Sequence, residues 1–422
     1  MYSPLEEHTM LVKKAFKYRI YPNQKQQHSL AVQFGHARFV YNWGLALRKT
    51  HYRQTGQGLS YFDCNVRLTE LKRQAEYIWL GEADSQVLQQ KLKDLDRAYV
   101  NFFEGRANYP TFKSKRSKQS IRYPQRFKVE GDRIYLPKVG WVKTVFHRPV
   151  EGEMKNVTVS RTKSGKYFVS IQCEVEIDEP VYVGSEVGID LGMVDFATLF
   201  DSALFDSNEH ERPVHSQTIP NPRHLRQAEK RLRRLQRRLS RCQKGSKGHE
   251  KVKRLLARQH EKVANQRRDF QHKQSRSLVD RHRLLCFENL NVTGMLKNHR
   301  VAKSIADAAW GTFVRLCEYK GQWYGCHIQK IGRFFPSSKL CSACGEIHPT
   351  LKLSERKWVC AGCGTIHHRD LNASKNILVE GLRLLNSSTV GATGINAGGE
   401  SVRPELVLSI QAVSPKPEAH PL

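Results

Sequence analysis

At 422 residues, 39% of them apolar, the chain is long enough for two or three domains with packed cores, which excludes a purely disordered basic protein. Its 70 Lys and Arg against 40 Asp and Glu leave a formal charge of +30, an excess that points to a polyanionic partner because these side chains displace counterions from phosphate backbones. The absence of any apolar run near the ~20 residues of a spanning helix, and of a signal-peptide pattern at Met1–Glu7, leads us to expect a cytoplasmic protein without membrane contact.

Phe16, Tyr18 and Ile20 alternate with polar neighbours and predict a strand ending at Pro22, after which Asn23 can cap a helix. From there to about residue 104 the period is helical. Its clearest face is Leu88, Leu92, Leu95, Tyr99 and Phe102, with Gln86 and Gln89 on the other side. Alternation returns in Val157 and Val159, and again from Tyr167 to Val175 across the turn Lys163–Lys166, which predicts a hairpin. The N-terminal strand is expected to join that sheet, making residues 24–112 a helical insertion into a small β domain. Short strands follow at Glu186–Asp190 and Phe196–Phe200, then Arg-rich helices between Pro222 and Arg283 broken at Lys244–Gly248. The density of Arg over Glu makes this helical pair a candidate nucleic-acid contact, with Arg233 and Arg237 representing it. A strand at Leu284–Phe287, one helix over Ser304–Tyr324 and a strand at His327–Ile331 complete the series, and residues 386–422 are expected to be a disordered tail.

Two pairs carry metal-ligand spacing. Cys341-Ser-Ala-Cys344 and Cys360-Ala-Gly-Cys363 stand fifteen residues apart, each able to turn two thiolates toward one ion. Four protein ligands leave no open position, so a structural Zn²⁺ is expected; His348, His367 and His368 are neighbours and not ligands. The remaining six cysteines are scattered and read as packing residues, which argues against a disulfide framework.

Three carboxylates stand at telling places. Asp190 and Glu288 each end an apolar strand, and Asp370 opens the last amphipathic segment. The element order is that of an RNase H-like fold, in which such acids meet at one end of the sheet. Three crowded carboxylates repel one another unless divalent cations lie between them, and hard oxygen donors suit Mg²⁺ or Mn²⁺. Two such ions, about 3.5–4 Å apart, activate water and stabilise the leaving oxygen of a phosphodiester. Each acid also has an ordinary reading as a turn or cap residue; it is their joint placement that argues for catalysis.

Arg38-Phe-Val-Tyr-Asn42, Gly188-Ile-Asp-Leu-Gly192, Phe287-Glu-Asn-Leu290, Phe335-Pro-Ser-Ser338 and His368-Arg-Asp-Leu-Asn-Ala373 together resemble the TnpB (OrfB) family of insertion sequences, similar to miniature type V CRISPR effectors. The resemblance covers about Lys13 to Leu385. It implies an α/β multidomain bacterial or archaeal protein: an RNase H-like RuvC nuclease domain with an inserted zinc knuckle, and a β-barrel-like wedge domain carrying a helical recognition domain. By position these are wedge 1–23 and 113–180, recognition 24–112, RuvC 181–334 and 369–385, knuckle 335–368 and tail 386–422. It further implies an RNA-guided DNA endonuclease that binds a transposon-derived guide RNA and double-stranded target DNA; a monomer with one RNA is the expected assembly, which the sequence itself does not specify. Asp190, Glu288 and Asp370 would then be the Mg²⁺-binding catalytic triad, and Cys341, Cys344, Cys360 and Cys363 the zinc ligands. Reading of a short flanking DNA motif suits Gln side chains on adenine edges, with Gln86, Gln89 and Tyr61 as candidates. The rival expectations are a catalytically weak or inactive RNA/DNA-binding regulator of transposition, a strand-transferring transposase, and a CRISPR effector using a separately encoded guide.

Overall fold

The alternation in the N-terminal segment buries Val12, Phe16, Tyr18 and Ile20 on one side of a long strand, β1 (Thr9–Tyr21). A computed structural model describes residues 9–204, 218–352 and 354–390. Within these, β1 joins β2 (Gln119–Tyr123), β3 (Lys128–Glu130), β4 (Arg133–Leu136), β5 (Gly140–Val145), β6 (Glu153–Arg161) and β7 (Tyr167–Asp178) in an antiparallel sheet of order β2-β6-β7-β1-β5-β4-β3. The hairpin of β6 and β7 pairs Arg161 with Tyr167 at its turn.

Between β1 and β2 the chain forms α1 (Gln24–Thr55), α2 (Tyr61–Leu71), a 3₁₀ segment (Ala75–Glu82) and α3 (Ser85–Phe103). Asn23 begins α1 with a reciprocal cap: its side chain accepts from the Gln26 N–H at 2.9 Å, and Gln26 Oε1 accepts from the Asn23 N–H at 3.0 Å. Val40, Leu68, Leu80, Leu88 and Leu92 make the common core of these helices.

By packing, the chain divides into two units, one of residues 1–179 with 227–265 and the other of 180–226 with 266–422. The second helical pair is α4 (His224–Arg241) and α5 (Lys247–Arg281). In the second unit, β8 (Ser185–Asp190), β9 (Asp195–Asp201), β10 (Thr218–Pro220), β11 (His282–Phe287) and β12 (His327–Lys330) form a sheet of order β10-β9-β8-β11-β12. β8, β11 and β12 run parallel, whereas β9 is antiparallel to β8.

A central parallel strand is buried on both faces, and β11 obeys this rule. Leu285 and Phe287 face a core with Leu278 and Val279 of α5 and with Phe313, while Leu284 and Cys286 face Ile377 and Leu378. The helical connection is α6 (Val292–Met295), α7 (Ala302–Ala308) and α8 (Trp310–Tyr324). The single helix expected over Ser304–Tyr324 is therefore two, because Ala309 takes φ 50° and ends α7 before α8 begins. After the short strands β13 (Lys357–Val359) and β14 (Ile366–His368), the chain closes with α9 (Arg369–Val390).

Helix α9 lies against the sheet at van der Waals limits. A Cβ on Gly188 would meet the Ser374 carbonyl at 2.0 Å, and one on Gly381 would meet Cys286 Sγ at 2.3 Å. Residues 386–390, expected to belong to a disordered tail, instead continue α9. Residues 391–422 of that expected tail, and residues 1–8, lie outside the described residues.

Candidate active site and metal centre

Parallel register brings two of the three acids to one edge. Phe287 of β11 stands opposite Ile189 of β8, so Asp190 and Glu288 follow as the next residues on adjacent strands. Asp370 sits in the first turn of α9, where a carboxylate is favoured by the helix dipole, and α9 packs on β8. Asp190 senses both of the other acids. The Asp190 carboxyl is pushed up to about 8 by burial first and then by the charges of Glu288 and Asp370, against the pull of Arg369 and Arg356. Burial also raises Glu288, opposed by a hydrogen bond from Ser337 and by Arg369. Such a site holds a proton or needs a cation, and its all-oxygen donor set fits a hard divalent ion.

Side chains outside the triad set its geometry. Ser337 Oγ donates to Glu288 Oε1. Arg356, one residue before β13, grips both oxygens of Asp370 at 2.9 and 2.8 Å. Buried Asn372 donates to the Leu340 carbonyl at 2.7 Å and accepts from the Ser342 N–H at 2.9 Å. One turn later, Asn376 donates to the carbonyls of Ser337 and Leu340 at 2.8 and 2.6 Å. These two asparagines fix the Ser337–Ser342 loop to the helix that carries Asp370. The sequence reading missed all four partners. The four-residue step from Asn372 to Asn376 on a helix face, and Ser337 inside the Phe335–Ser338 motif, were the available signals. Arg356 had none.

The four cysteines converge. The sulfur atoms of Cys341, Cys344, Cys360 and Cys363 all lie within 4.8 Å of one another. Cys341 to Cys363 measures 3.7 Å and Cys344 to Cys360 measures 3.5 Å. A tetrahedral Zn²⁺ with Zn–S bonds of about 2.3 Å requires edges of roughly 3.8 Å, so the donor set fits zinc in both chemistry and spacing. Gly345 and Gly364 take φ of 80° and 70°, the left-handed conformation that closes each Cys-x-x-Cys turn. His367 Nε2 lies 3.0 Å from Cys341 Sγ, a neighbour bonded to a ligand rather than a fifth ligand. The Thr365 hydroxyl, 3.2 Å from Cys363 Sγ, helps to lower that thiol and favour its thiolate.

The five candidate nucleic-acid residues are dispersed. Tyr61 opens α2, half-buried, with Lys93 Nζ 5.4 Å from its ring centroid. On α3, Gln89 is exposed and Gln86 half-buried. Arg233 is exposed and ion-paired with Glu229 at 2.5 Å, and Arg237 is exposed. Neither of these two arginines lines the cleft of about 610 Å³ between α4 and α5, whose cations are Arg231, Arg234, Arg238, Arg258 and Lys262. None of these five cleft cations makes an ion pair among the described residues. Arg231, Arg234 and Arg238 are spaced by three and four on one face of α4, a step the Arg-rich run concealed.

Comparison with known proteins places this architecture. A family model described as "Probable transposase" (OrfB of IS605) matches residues 170–299, and a "Cas12f1-like, TNB domain" model matches 310–377. A third, described as a helix-turn-helix domain, matches residues 10–57, which here form β1 and the single helix α1. A cryo-EM structure titled as a Cas12f1–sgRNA–target DNA complex superposes with a TM-score of 0.54 and 16% identity over 87% of this chain and 98% of that one, a likeness of fold. Fold and site thus define an α/β protein of Cas12f1-like architecture with a four-cysteine module.

The chain is 37% identical to a Streptomyces pristinaespiralis protein over 93% of both chains, and 35% identical to InsQ of Escherichia coli K12 over 88% of this chain and 93% of that one. Both relatives are named, provisionally, as RNA-guided DNA endonucleases. The chain belongs to the TnpB (OrfB) family.

Proposed function

We propose that this protein is an RNA-guided DNA endonuclease of an insertion sequence, cutting double-stranded DNA beside a short flanking motif at one RuvC-type site. The observation that carries the reading is the placement of Asp190, Glu288 and Asp370 around one sheet edge, with Asp190 pushed up to about 8 by burial and then by the charges of the other two. In this reading the three carboxylates hold divalent cations, Mg²⁺ or Mn²⁺. Bound there, such ions supply an activated water and stabilise the leaving oxygen of the phosphodiester. The chain's own part is positional. Ser337 aims Glu288, Asn372 and Asn376 fix the start of α9, and Arg356 and Arg369 balance the negative charge. A structural Zn²⁺ on the four cysteines would stiffen the knuckle that carries Arg356.

The remaining parts take matching roles. Residues 1–23 and 113–180 form the wedge, 24–112 the recognition domain, 181–334 and 369–385 the RuvC domain, and 335–368 a target-binding knuckle. Gln89, exposed on α3, with Gln86 and Tyr61, reads the flanking motif. A guide–target heteroduplex is held through phosphates and A-form shape, which suits broad basicity without a compact base-reading motif.

The test is retargeting. The protein is purified with RNA from its own flanking DNA, and the terminal guide is then replaced; cleavage should move to the new match and vanish from the old. Cutting that ignores the guide, or RNA retention with no cutting, would overturn the proposal.

The cleft between α4 and α5 bears on the same partner. Substituting Arg231, Arg234 and Arg238 together with Gln should weaken RNA binding and lower the log–log salt slope by roughly 2–3, since each phosphate contact is worth about 0.7–0.9. Arg233→Gln, whose cation is already paired with Glu229, should change the slope less. Equal slopes in filter-binding titrations for wild type and the triple variant would remove the cleft from the RNA path.

A further inference from the structure

A tight turn stands beside Glu288. The Phe335 N–H donates to the Gly332 carbonyl at 3.2 Å, which puts Arg333 and Phe334 at the two corners. The neighbouring rings go opposite ways. Phe335 packs inward on the core of Leu284, Cys286, Ile331, Ile377 and Leu378. Phe334 points out and is 92% exposed, the most exposed large apolar side chain among the described residues. The turn borders a pocket of about 260 Å³ whose wall includes Glu288, Arg333, Phe335, Ser337 and Lys339. Arg333 makes no ion pair among the described residues, while Lys339 donates to the Pro349 carbonyl at 3.2 Å.

Turn corners are ordinarily polar, and a Phe ring left in water forgoes the stabilisation that burial would return. The chemistry of the rim points to what covers it. A phosphodiester presented to Glu288 arrives with its own bases within a few ångströms. Two cations on the same rim suit the neighbouring phosphates, and an aromatic face suits a base. Paired bases already have both faces stacked, so a free face is available only on an unpaired strand.

We propose that Phe334 is a stacking platform for an unpaired base of the DNA strand delivered to Glu288, with Arg333 holding an adjacent phosphate. The inference rests on the reading of Asp190, Glu288 and Asp370 as the hydrolytic site. It makes Phe334 a positioning residue that selects single-stranded over paired DNA at the cut.

The experiment uses the full chain with its RNA, carrying Asp190→Ala so that the strand stays whole. A target whose displaced strand bears 2-aminopurine is stepped one position at a time. One position should lose fluorescence on binding, regain it in Phe334→Ala, and stay quenched in Phe334→Trp. In the cleavage-competent protein, Phe334→Ala should lower the single-turnover rate about 5- to 150-fold, the worth of one stacked base, with RNA retention unchanged. Phe334→Trp should restore the rate. Quenching that no Phe334 substitution moves would overturn the proposal. So would loss of self-association in Phe334→Ala, which would assign the ring to a second copy of the chain. If the Asp190→Ala complex itself cuts, the hydrolytic-site reading fails, while the fluorescence result still decides the stacking.

Discussion

Asp190→Ala is expected to leave the protein folded and RNA-loaded while single-turnover cleavage falls by about 10³-fold or more. Loss of a metal-holding carboxylate removes several kcal/mol of transition-state stabilisation, and each 1.36 kcal/mol is tenfold in rate. The fold should not suffer, because the removed carboxyl is one the folded protein crowds: it is raised from 3.8 to about 8 by burial and by Glu288 and Asp370. The linkage has a definite sign. An acid whose folded pKa exceeds its unfolded value keeps its proton in the native state, so its ionisation costs stability as pH rises from about 4 to about 8. In magnesium-free buffer with zinc retained, Asp190→Ala should therefore gain on wild type through that window. Thermal melts across it would show the gap widening with pH. Wild-type cleavage by the variant would remove Asp190 from the chemistry.

Zinc removal is the second large effect. The zinc-binding energy of small knuckle domains, about 10–16 kcal/mol, is also their folding energy. Cys360→Ser should drop the zinc content from one ion per chain to none and open the 341–368 segment to limited proteolysis. The damage should reach the acid site through identified bonds. Asn372 and Asn376 would lose the Leu340 and Ser337 carbonyls, and Asp370 would lose its Arg356 partner. Cleavage is expected to fall by at least about 10²-fold, a cost typical of disturbing the groups that orient a metal site. Cys242→Ser, at the end of α4 and outside the cluster, should keep both zinc and activity. Full zinc content in Cys360→Ser, by elemental analysis, would contradict the four-thiolate site.

Much of this was legible because its signals were local. Period-two alternation marked β1 and β7, Asn23 marked the start of α1, and matched Cys-x-x-Cys pairs marked the four-cysteine cluster. Asp190 and Glu288 could be singled out because each follows an apolar strand, and parallel pairing then puts consecutive strand ends at one edge. What escaped depends on three-dimensional proximity. Ala309 breaks α7 from α8 through one left-handed residue that composition does not announce. Packing groups residues 227–265 with 1–179, a partition that chain order does not reveal. In the Arg-rich helix, charge density marked the segment, yet Arg231, Arg234 and Arg238 line the cleft while Arg233 turns to Glu229. Arg356 is invisible from sequence because its meaning comes only from folding back on Asp370.

Guided hydrolysis at the three-carboxylate site is tested most directly by cleavage of a plasmid library carrying the guide match beside randomised flanks, by the RNA-loaded protein in Mg²⁺, with Asp190→Ala alongside. Linear product is expected only with a matched guide, enriched for one flanking motif and absent from the variant. Product that survives Asp190→Ala, or tight RNA retention with no product from the wild type, would contradict it.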